Sequence, residues 1–276
     1  MKYFTKQWYE DMQRTSMYLS LKVSKKAENF SEEYYRDLYK IQEDEWLRLQ
    51  NEMSKVKFEE IYPEYANITI LNKEKYEERE RRLEDFNKTT AFDLEKAKKE
   101  FNELHKSNIE NLKNKLPEYI LNDVADIRIL ALHRASEYVK KLITDYCKNK
   151  RTIVKKTFED YEKYYNKELK EYKDNIVENL HLHDCLITKI IKQKDKLTIE
   201  IDSSESFTDI QTIIFEDYEI IEEEMNFING WWLYEEIYIK NNIYEIHILI
   251  DVPQNNKYCK SLGYLTLKAR KVNFFI

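Results

Sequence analysis

Glycine is almost absent from this chain, and its scarcity limits the sites that the chain can build. The 276 residues contain two glycines, and the first of them is Gly230. Phosphate-binding loops and the nucleophile elbow of many hydrolases need glycine, because their backbones adopt positive φ or approach a ligand closely. The residues before Gly230 therefore cannot contain a Rossmann fingerprint, a Walker loop, a kinase glycine loop or a G-x-S-x-G elbow, and we expect no cofactor.

Acidic residues are concentrated in the C-terminal third of the chain. The net charge is −6, and 12 acidic residues lie between Leu197 and Ile239 with no Lys or Arg among them. Such a segment repels a phosphate backbone, so we predict that the protein does not bind nucleic acid. No stretch reaches the roughly 18 apolar residues of a membrane helix, and the start of the chain does not resemble a signal peptide. The three widely spaced cysteines, Cys147, Cys185 and Cys259, fit reduced thiols, so we expect a cytoplasmic protein.

The period of the apolar residues changes near residue 178, and this change predicts the fold class. Up to that point apolar residues recur at helical spacing, with Ser31 as an N-cap and one continuous helix over about 118–148. Further along, the period is two, which is typical of strands. We predict an α+β protein, with a helical bundle over 1–178 followed by an antiparallel β-sheet or sandwich module over 179–276. The predicted strands are Leu186–Ile191, Leu197–Ile201, Thr212–Phe215, Tyr218–Ile221, Trp231–Lys240, Ile243–Asp251 and Tyr264–Val272.

The strands on either side of Asn241-Asn242 predict a hairpin with a two-residue turn. Counting back from this turn pairs Glu236 with His247 and brings aromatic and acidic side chains to one face. The face consists of Trp232, Tyr234, Glu236, Tyr238, Glu245, His247 and Asp251. If it is exposed, it suits a basic protein or peptide, through carboxylate pairing and cation–π contacts. The alternatives are an ordinary solvated or helix-covered sheet face and a general base formed by His247 beside Glu236.

A second group of polar side chains precedes the first predicted strand, at His181-Leu-His-Asp-Cys185. If this segment is a strand, His181, His183 and Cys185 project to the same side, as the ligands of a zinc ion could. Side chains in one straight row rarely converge on one ion, so an interdomain hydrogen-bonding role for His183 and Asp184 is the alternative.

Several stretches of the chain resemble an uncharacterised bacterial family of about this length, which is known only as a domain of unknown function. The stretches are Met1–Tyr9, Leu116–Leu121, Asp123–Arg128, Ala131–Ser136, Leu182–Cys185 and Trp232–Glu236. They span nearly the whole chain, so the resemblance implies full-length membership. The family has no assigned activity, so the resemblance implies no catalytic residue; at His133 its pattern has a small residue, which counts against a ligand role there. The short Leu182-His183-Asp184 segment also resembles the His-Asp turn of some bacterial immunity proteins, which favours protein binding.

These patterns lead to one main hypothesis and two alternatives. The main hypothesis is a non-enzymatic cytoplasmic protein-interaction module that binds a basic protein or peptide through the acidic and aromatic face. The first alternative is a metal-dependent hydrolase that uses His181, His183, Asp184 and Cys185, with His247 as a further candidate. The second alternative is an assembly protein that oligomerises through apolar helix faces.

Overall fold

A computed structural model describes residues 1–65, 73–90, 92–169, 175–253 and 260–276. Most of the N-terminal part is helical and the eight strands of one large sheet follow it, which confirms the predicted α+β class. The helices are α1 (Lys6–Gln13), α2 (Glu32–Met53), α3 (Phe58–Ile61), α4 (Lys73–Thr90), α5 (Leu94–Lys115), α6 (Glu118–Leu121), α7 (Ile127–Ala131), α8 (Glu137–Tyr164) and α9 (Asn175–Asn179). The strands are β1 (Lys22–Val23), β2 (Arg134–Ala135), β3 (Cys185–Lys192), β4 (Lys196–Asp202), β5 (Thr212–Glu216), β6 (Glu219–Glu223), β7 (Trp231–Lys240), β8 (Ile243–Pro253), β9 (Lys260–Ala269) and β10 (Lys271–Phe275). Cys259 lies outside the described residues.

The chain divides into two compact units. The first unit combines Met1–Met17 with Asp145–Ile276, and the second consists of Tyr18–Thr144. The predicted domains, 1–178 and 179–276, instead follow the change from helix to strand, which lies between α9 and β3. The difference arises because compactness depends on which residues touch and not on the type of secondary structure. No helix among the described residues combines the length and the apolar content that a membrane crossing requires.

In the second unit, α2 packs one face against α5. The hydroxyl of Ser31 accepts a hydrogen bond from the backbone of Tyr34, which confirms the predicted N-cap. One turn further along α2, the rings of Tyr39 and Phe101 meet edge to face at 5.1 Å. The indole Nε1 of Trp46 donates to the backbone oxygen of Ala97 at 3.1 Å, so polar and apolar contacts join the two helices.

The predicted continuous helix over residues 118–148 is wrong, because two local features interrupt it. The carboxylate of Asp126 accepts a hydrogen bond from the backbone of Arg128 and starts a new helix, α7. After α7, His133 has a φ of 58°, a left-handed conformation that ends the helix. The short strand β2 follows and pairs in parallel with β1 before α8 begins.

The first unit contains an eight-stranded antiparallel sheet in the order β10-β5-β4-β3-β7-β8-β9-β6. Tyr264–Val272, predicted as one strand, is two, because the chain bends at Arg270. After the bend, β10 pairs with β5 and not with β8. The core of this unit is formed by apolar residues of nearly all strands, including Ile187, Ile199, Phe215, Ile237, Ile248 and Leu267.

Gly230 precedes β7 at a point where the backbone has no room for a side chain. A Cβ atom there would lie 2.7 Å from Cγ2 of Ile250 and 2.9 Å from the backbone oxygen of Phe227. Neither glycine has a positive φ. Close packing, and not a positive φ, therefore requires glycine at this position.

Candidate functional site

The β7–β8 hairpin has the predicted turn and most of the predicted register. Asn241 and Asn242 have φ values of 53° and 59°, as a type I′ turn requires. The pairing is confirmed from this turn back to Tyr234 opposite Leu249, and it includes Glu236 opposite His247. The sequence therefore predicted the geometry of the hairpin correctly over most of its length.

A β-bulge at Leu233 turns Trp232 away from the face that the sequence predicted for it. One extra residue in a strand moves every side chain beyond it to the opposite face. Trp231, and not Trp232, consequently pairs with Asp251. The indole of Trp232 is buried in the core of the unit, where its Nε1 donates to Oε2 of Glu235 at 2.9 Å. The placement of Trp232 beside Tyr234 and Asp251 is therefore wrong.

Glu236, at the centre of the predicted face, is 0% exposed. Its Oε1 accepts hydrogen bonds from the backbone nitrogens of Tyr3 and Phe4, both at 2.7 Å. Its Oε2 accepts one from the backbone of Lys2 at 2.8 Å and one from the hydroxyl of Tyr238 at 2.6 Å. The carboxylate thus binds three consecutive amides of the chain's first residues, which we call the N-terminal segment (residues 1–4).

Aromatic rings complete the cover over Glu236. Tyr3 lies 5.3 Å from the ring of Tyr161 on α8, and Phe4 lies 5.3 Å from the ring of Tyr234. The pKa of the Tyr238 hydroxyl is raised by burial and by the hydrogen bond to Glu236. The expectation of an exposed face is therefore wrong at Glu236, because the N-terminal segment and α8 occupy the space where a partner was expected.

The remaining residues of the predicted face differ in exposure. Asp251 is buried, whereas Glu245 and His247 are half-buried. Nε2 of His247 lies 2.9 Å from Oε1 of Glu245, so its bonded carboxylate is Glu245 and not Glu236. Burial acts to raise the pKa of Glu245, but hydrogen bonds from His247 and Lys268 outweigh it and lower the pKa. The proposed general base made by Glu236 and His247 is therefore wrong.

The segment from His181 to Cys185 does not form the row of ligands that a strand would give. The strand begins at Cys185, and Asp184 has a φ of 64°, so a turn separates His183 from the strand. Cys185 is buried, whereas the side chains of His181 and His183 are half or more exposed. The structure, where it is described, contains no group of three His, Cys, Asp or Glu side chains placed to hold a metal ion. The predicted zinc geometry is wrong.

His181 and His183 instead border a pocket of about 460 Å³ in the first unit, which we call the ring-lined pocket. Six aromatic rings line it, three of them tyrosines, together with two carboxylates, two imidazoles, a serine hydroxyl and three aliphatic side chains. The lining residues are Phe4, Phe158, Tyr161, Glu162, Tyr165, Leu180, His181, His183, Ser206, Phe207, Leu233, Tyr234, Glu235 and Ile237. No lysine or arginine belongs to this described lining, so its formal charge is negative wherever both histidines are neutral.

The pocket lies beside an edge of β7 that β3 leaves open. Among the described residues, β3 pairs with β7 only at Cys185 and Leu186. Side chains bind the edge further along β7: the hydroxyl of Tyr164 donates to the backbone oxygen of Ile237 at 3.2 Å. Nδ1 of His183 likewise bonds the backbone oxygen of Leu233. The open edge therefore creates the space, and rings and imidazoles form its walls.

The surroundings of His181 and Tyr234 shift the pKa of each side chain in the pocket. Nδ1 of His181 lies 3.7 Å from Oε1 of Glu235, and this carboxylate raises the pKa of His181 above its usual 6.5. Burial raises the pKa of Tyr234 to about 12, so its hydroxyl stays neutral and donates to Sδ of Met12 at 3.4 Å. Glu235 is thus a partly buried carboxylate, and the imidazole of His181 beside it is a cation only below the raised pKa of His181.

Sequence reasoning missed most of the pocket. Of the residues that it selected, Tyr234, His181 and His183 line the pocket, whereas Glu236 and His247 do not. Phe158, Tyr161 and Tyr165 recur at intervals of three and four on one helical stretch, which was a usable signal for a shared face. Phe4 and Phe207 had no such signal, because only the tertiary fold brings them to the pocket.

Comparisons with known proteins identify a family of unknown function. The family model described as "Protein of unknown function (DUF4085)" matches residues 78–259, which is more than half of the chain. Neither a curated protein nor a solved structure matches the chain. The chain belongs to the DUF4085 family, which confirms the resemblance to an uncharacterised family.

Proposed function

We propose that this member of the DUF4085 family is a protein-interaction module that binds a basic partner by taking an arginine or lysine side chain into the ring-lined pocket. The observation that carries the proposal is the composition of the lining: six aromatic rings and two carboxylates, with no basic residue among them apart from two histidines. A cytoplasmic location stays part of the proposal, on the basis of the widely spaced cysteines.

Aromatic rings and carboxylates together favour an organic cation. The face of an aromatic ring attracts a guanidinium or ammonium group, and the attraction increases when the cation leaves water. A carboxylate adds a charge-assisted hydrogen bond, which an arginine side chain can form with two nitrogens at once. Glu235 is partly buried at the inner wall, while Glu162 is exposed on α8 at the outer wall.

The pocket is large enough to hold a side chain of a partner. Its volume of about 460 Å³ lies within the roughly 300–1,000 Å³ of sites that hold small ligands. Its serine hydroxyl, from Ser206, donates to the backbone oxygen of His183 at 2.7 Å and faces no activating base in the hydrogen bonds of the described residues. The rings and aliphatic side chains give the ligand a mostly apolar environment.

The basic partner of the main hypothesis is thus retained, but the surface proposed for it changes. The acidic residue at the centre of the sequence-predicted face, Glu236, is bonded to the N-terminal segment. Its neighbour Glu235 lines the ring-lined pocket, beside the open edge of β7. Alternation along a strand places adjacent residues on opposite faces.

A matched pair of small probes tests the charge requirement. N-acetyl-arginine amide and N-acetyl-citrulline amide have nearly the same shape, but only the first is a cation. We expect calorimetric titration of the full chain to show binding of the arginine probe that is at least about tenfold tighter than that of the citrulline probe. Equal affinity of the two probes, or no binding of either at millimolar concentration, would refute the proposal.

Variants at the two carboxylates locate the binding site. Glu162→Gln and Glu235→Gln should each weaken the arginine probe by about tenfold, because each removes one negative charge from the pocket. Glu200→Gln is the matched control: its carboxylate pairs with Lys189 at 3.1 Å and does not line the pocket. Affinity that falls equally in all three variants would indicate a general charge effect and contradict the proposed site.

A further inference from the structure

The side chain of Phe207 is 109% exposed although it belongs to the lining of the ring-lined pocket. Most large apolar side chains of this unit are buried, and an exposed phenylalanine forgoes the stabilisation that burial gives. An exposed aromatic ring beside a pocket is available to pack against an apolar group of a ligand. Phe207 is therefore placed to contact what enters the pocket.

The loop that carries Phe207 is held in place on both sides of the ring. The hydroxyl of Ser206 donates to the backbone oxygen of His183 at 2.7 Å. On the other side, the backbone of Ile210 donates to the hydroxyl of Thr208 at 3.3 Å, and the side chain of Ile210 is buried in the core. The backbone of Ser206 also donates to the oxygen of Ser203 at 2.9 Å, which closes a turn. The exposure of the ring is thus a consequence of how the loop is bonded.

Glu235 and Phe207 line the same pocket but differ in exposure. The carboxylate of Glu235 lies near His181, with 3.7 Å between Oε1 and Nδ1, on the inner wall. Phe207 projects from the loop after β4, on the outer rim. Because both side chains line one pocket of about 460 Å³, a ligand that contacts both must carry a cationic group and an apolar group close to each other. Consecutive residues of a peptide have that arrangement, because their Cα atoms lie about 3.8 Å apart.

We infer that the partner presents a basic residue next to a large apolar residue, and that the apolar side chain packs on Phe207 while the basic one enters the ring-lined pocket. This inference rests on the proposed function and specifies the partner segment. The negative charge of the lining favours the basic residue of the partner, and the exposed ring of Phe207 favours the large apolar residue next to it. Phe207 would supply affinity without charge, as an apolar contact at the edge of the site.

Three peptides separate the two contributions. N-acetyl-Leu-Arg amide and N-acetyl-Arg-Leu amide carry the apolar neighbour on either side, and N-acetyl-Ser-Arg amide lacks it. In the unmodified protein, we expect the better of the two leucine peptides to bind about tenfold tighter than the serine peptide. In Phe207→Ser this ratio should fall to about one, while the affinity of the serine peptide stays within about twofold of its original value.

A second variant controls for the loss of an exposed apolar side chain. Ile221 on β6 is 49% exposed and does not line the pocket, so Ile221→Ser should retain the full preference for leucine. A preference that is unchanged in Phe207→Ser overturns this inference but leaves the proposed function intact if the serine peptide binds. Failure of every arginine peptide to bind refutes the proposed function. N-acetyl-leucine amide binding as tightly as the leucine–arginine peptides would indicate a purely apolar site and overturn both.

Discussion

Replacing Glu236 with glutamine should detach the N-terminal segment from the sheet. The carboxylate accepts four hydrogen bonds at 2.6–2.8 Å, from the backbones of Lys2, Tyr3 and Phe4 and from the hydroxyl of Tyr238. A glutamine keeps one acceptor oxygen and replaces the other with an amino group. The side-chain oxygen can stay with Tyr3 and Phe4, and the hydroxyl of Tyr238 can turn to accept from the new amide, but the backbone of Lys2 then faces another donor. A buried donor left without an acceptor costs about 1–3 kcal/mol, so we expect Glu236→Gln to lower the free energy of unfolding of the first unit by roughly that amount.

Two measurements check this expectation. Urea unfolding followed by circular dichroism gives the loss of stability, and hydrogen exchange of the amides of residues 2–4 reports on the segment itself. Glu200→Gln serves as the control, because exposed substitutions usually change stability by less than about 0.5 kcal/mol. A loss below about 1 kcal/mol in Glu236→Gln, together with unchanged amide protection, would mean that Glu236 does not hold the segment.

Three further outcomes follow from the structure. Binding of the arginine probe should strengthen as the pH rises through the raised pKa of His181, because deprotonation removes a positive charge beside Glu235. His181→Gln should reduce this pH dependence of the calorimetric affinity, and an unchanged dependence would contradict the role of His181. Burial lowers the pKa of His105 below 6.5, so the neutral imidazole contributes stability above pH 6.5 that is lost as the pH falls toward the folded-state pKa. His105→Phe should therefore reduce the change in the melting temperature of the second unit between about pH 7 and pH 5, and an equally large change would contradict this. Gly230→Ala should destabilise the first unit by about 1–3 kcal/mol in urea unfolding, because its Cβ would lie 2.7 Å from Ile250 and 2.9 Å from a backbone oxygen; a neutral result would mean that the backbone shifts without cost.

Local patterns predicted the elements that depend on neighbouring residues. The N-cap at Ser31, the turn at Asn241-Asn242 and the register of the hairpin each follow from the side chains within a few positions. Such features are readable because caps, turns and alternating strands are short-range. The predicted helix over 118–148 is wrong because the apolar spacing indicated one continuous helix. The N-cap at Asp126 and the left-handed conformation of His133 interrupt it.

The candidate site depends on contacts between residues that are far apart in sequence. A bulge at Leu233 moved Trp232 into the core, and the open edge of β7 created space for the pocket. No pattern around these residues indicates which strand will leave an edge unpaired, because pairing is settled by the packing of the whole sheet.

The sequence by itself determined that the chain is an α+β protein without glycine-dependent phosphate or nucleophile loops, and that acidic and aromatic residues alternate on one hairpin. Only the tertiary structure decided which of those residues a ligand can reach. The N-terminal segment, which is more than 230 residues from Glu236 in sequence, binds its carboxylate. The neighbouring Glu235 lines the pocket. The physical reason is that the alternation of side chains along a strand is local, so the sequence shows which residues share a face. A face that carries a charge can be buried only where a distant segment supplies hydrogen bonds to that charge, and the fold determines which segment does so.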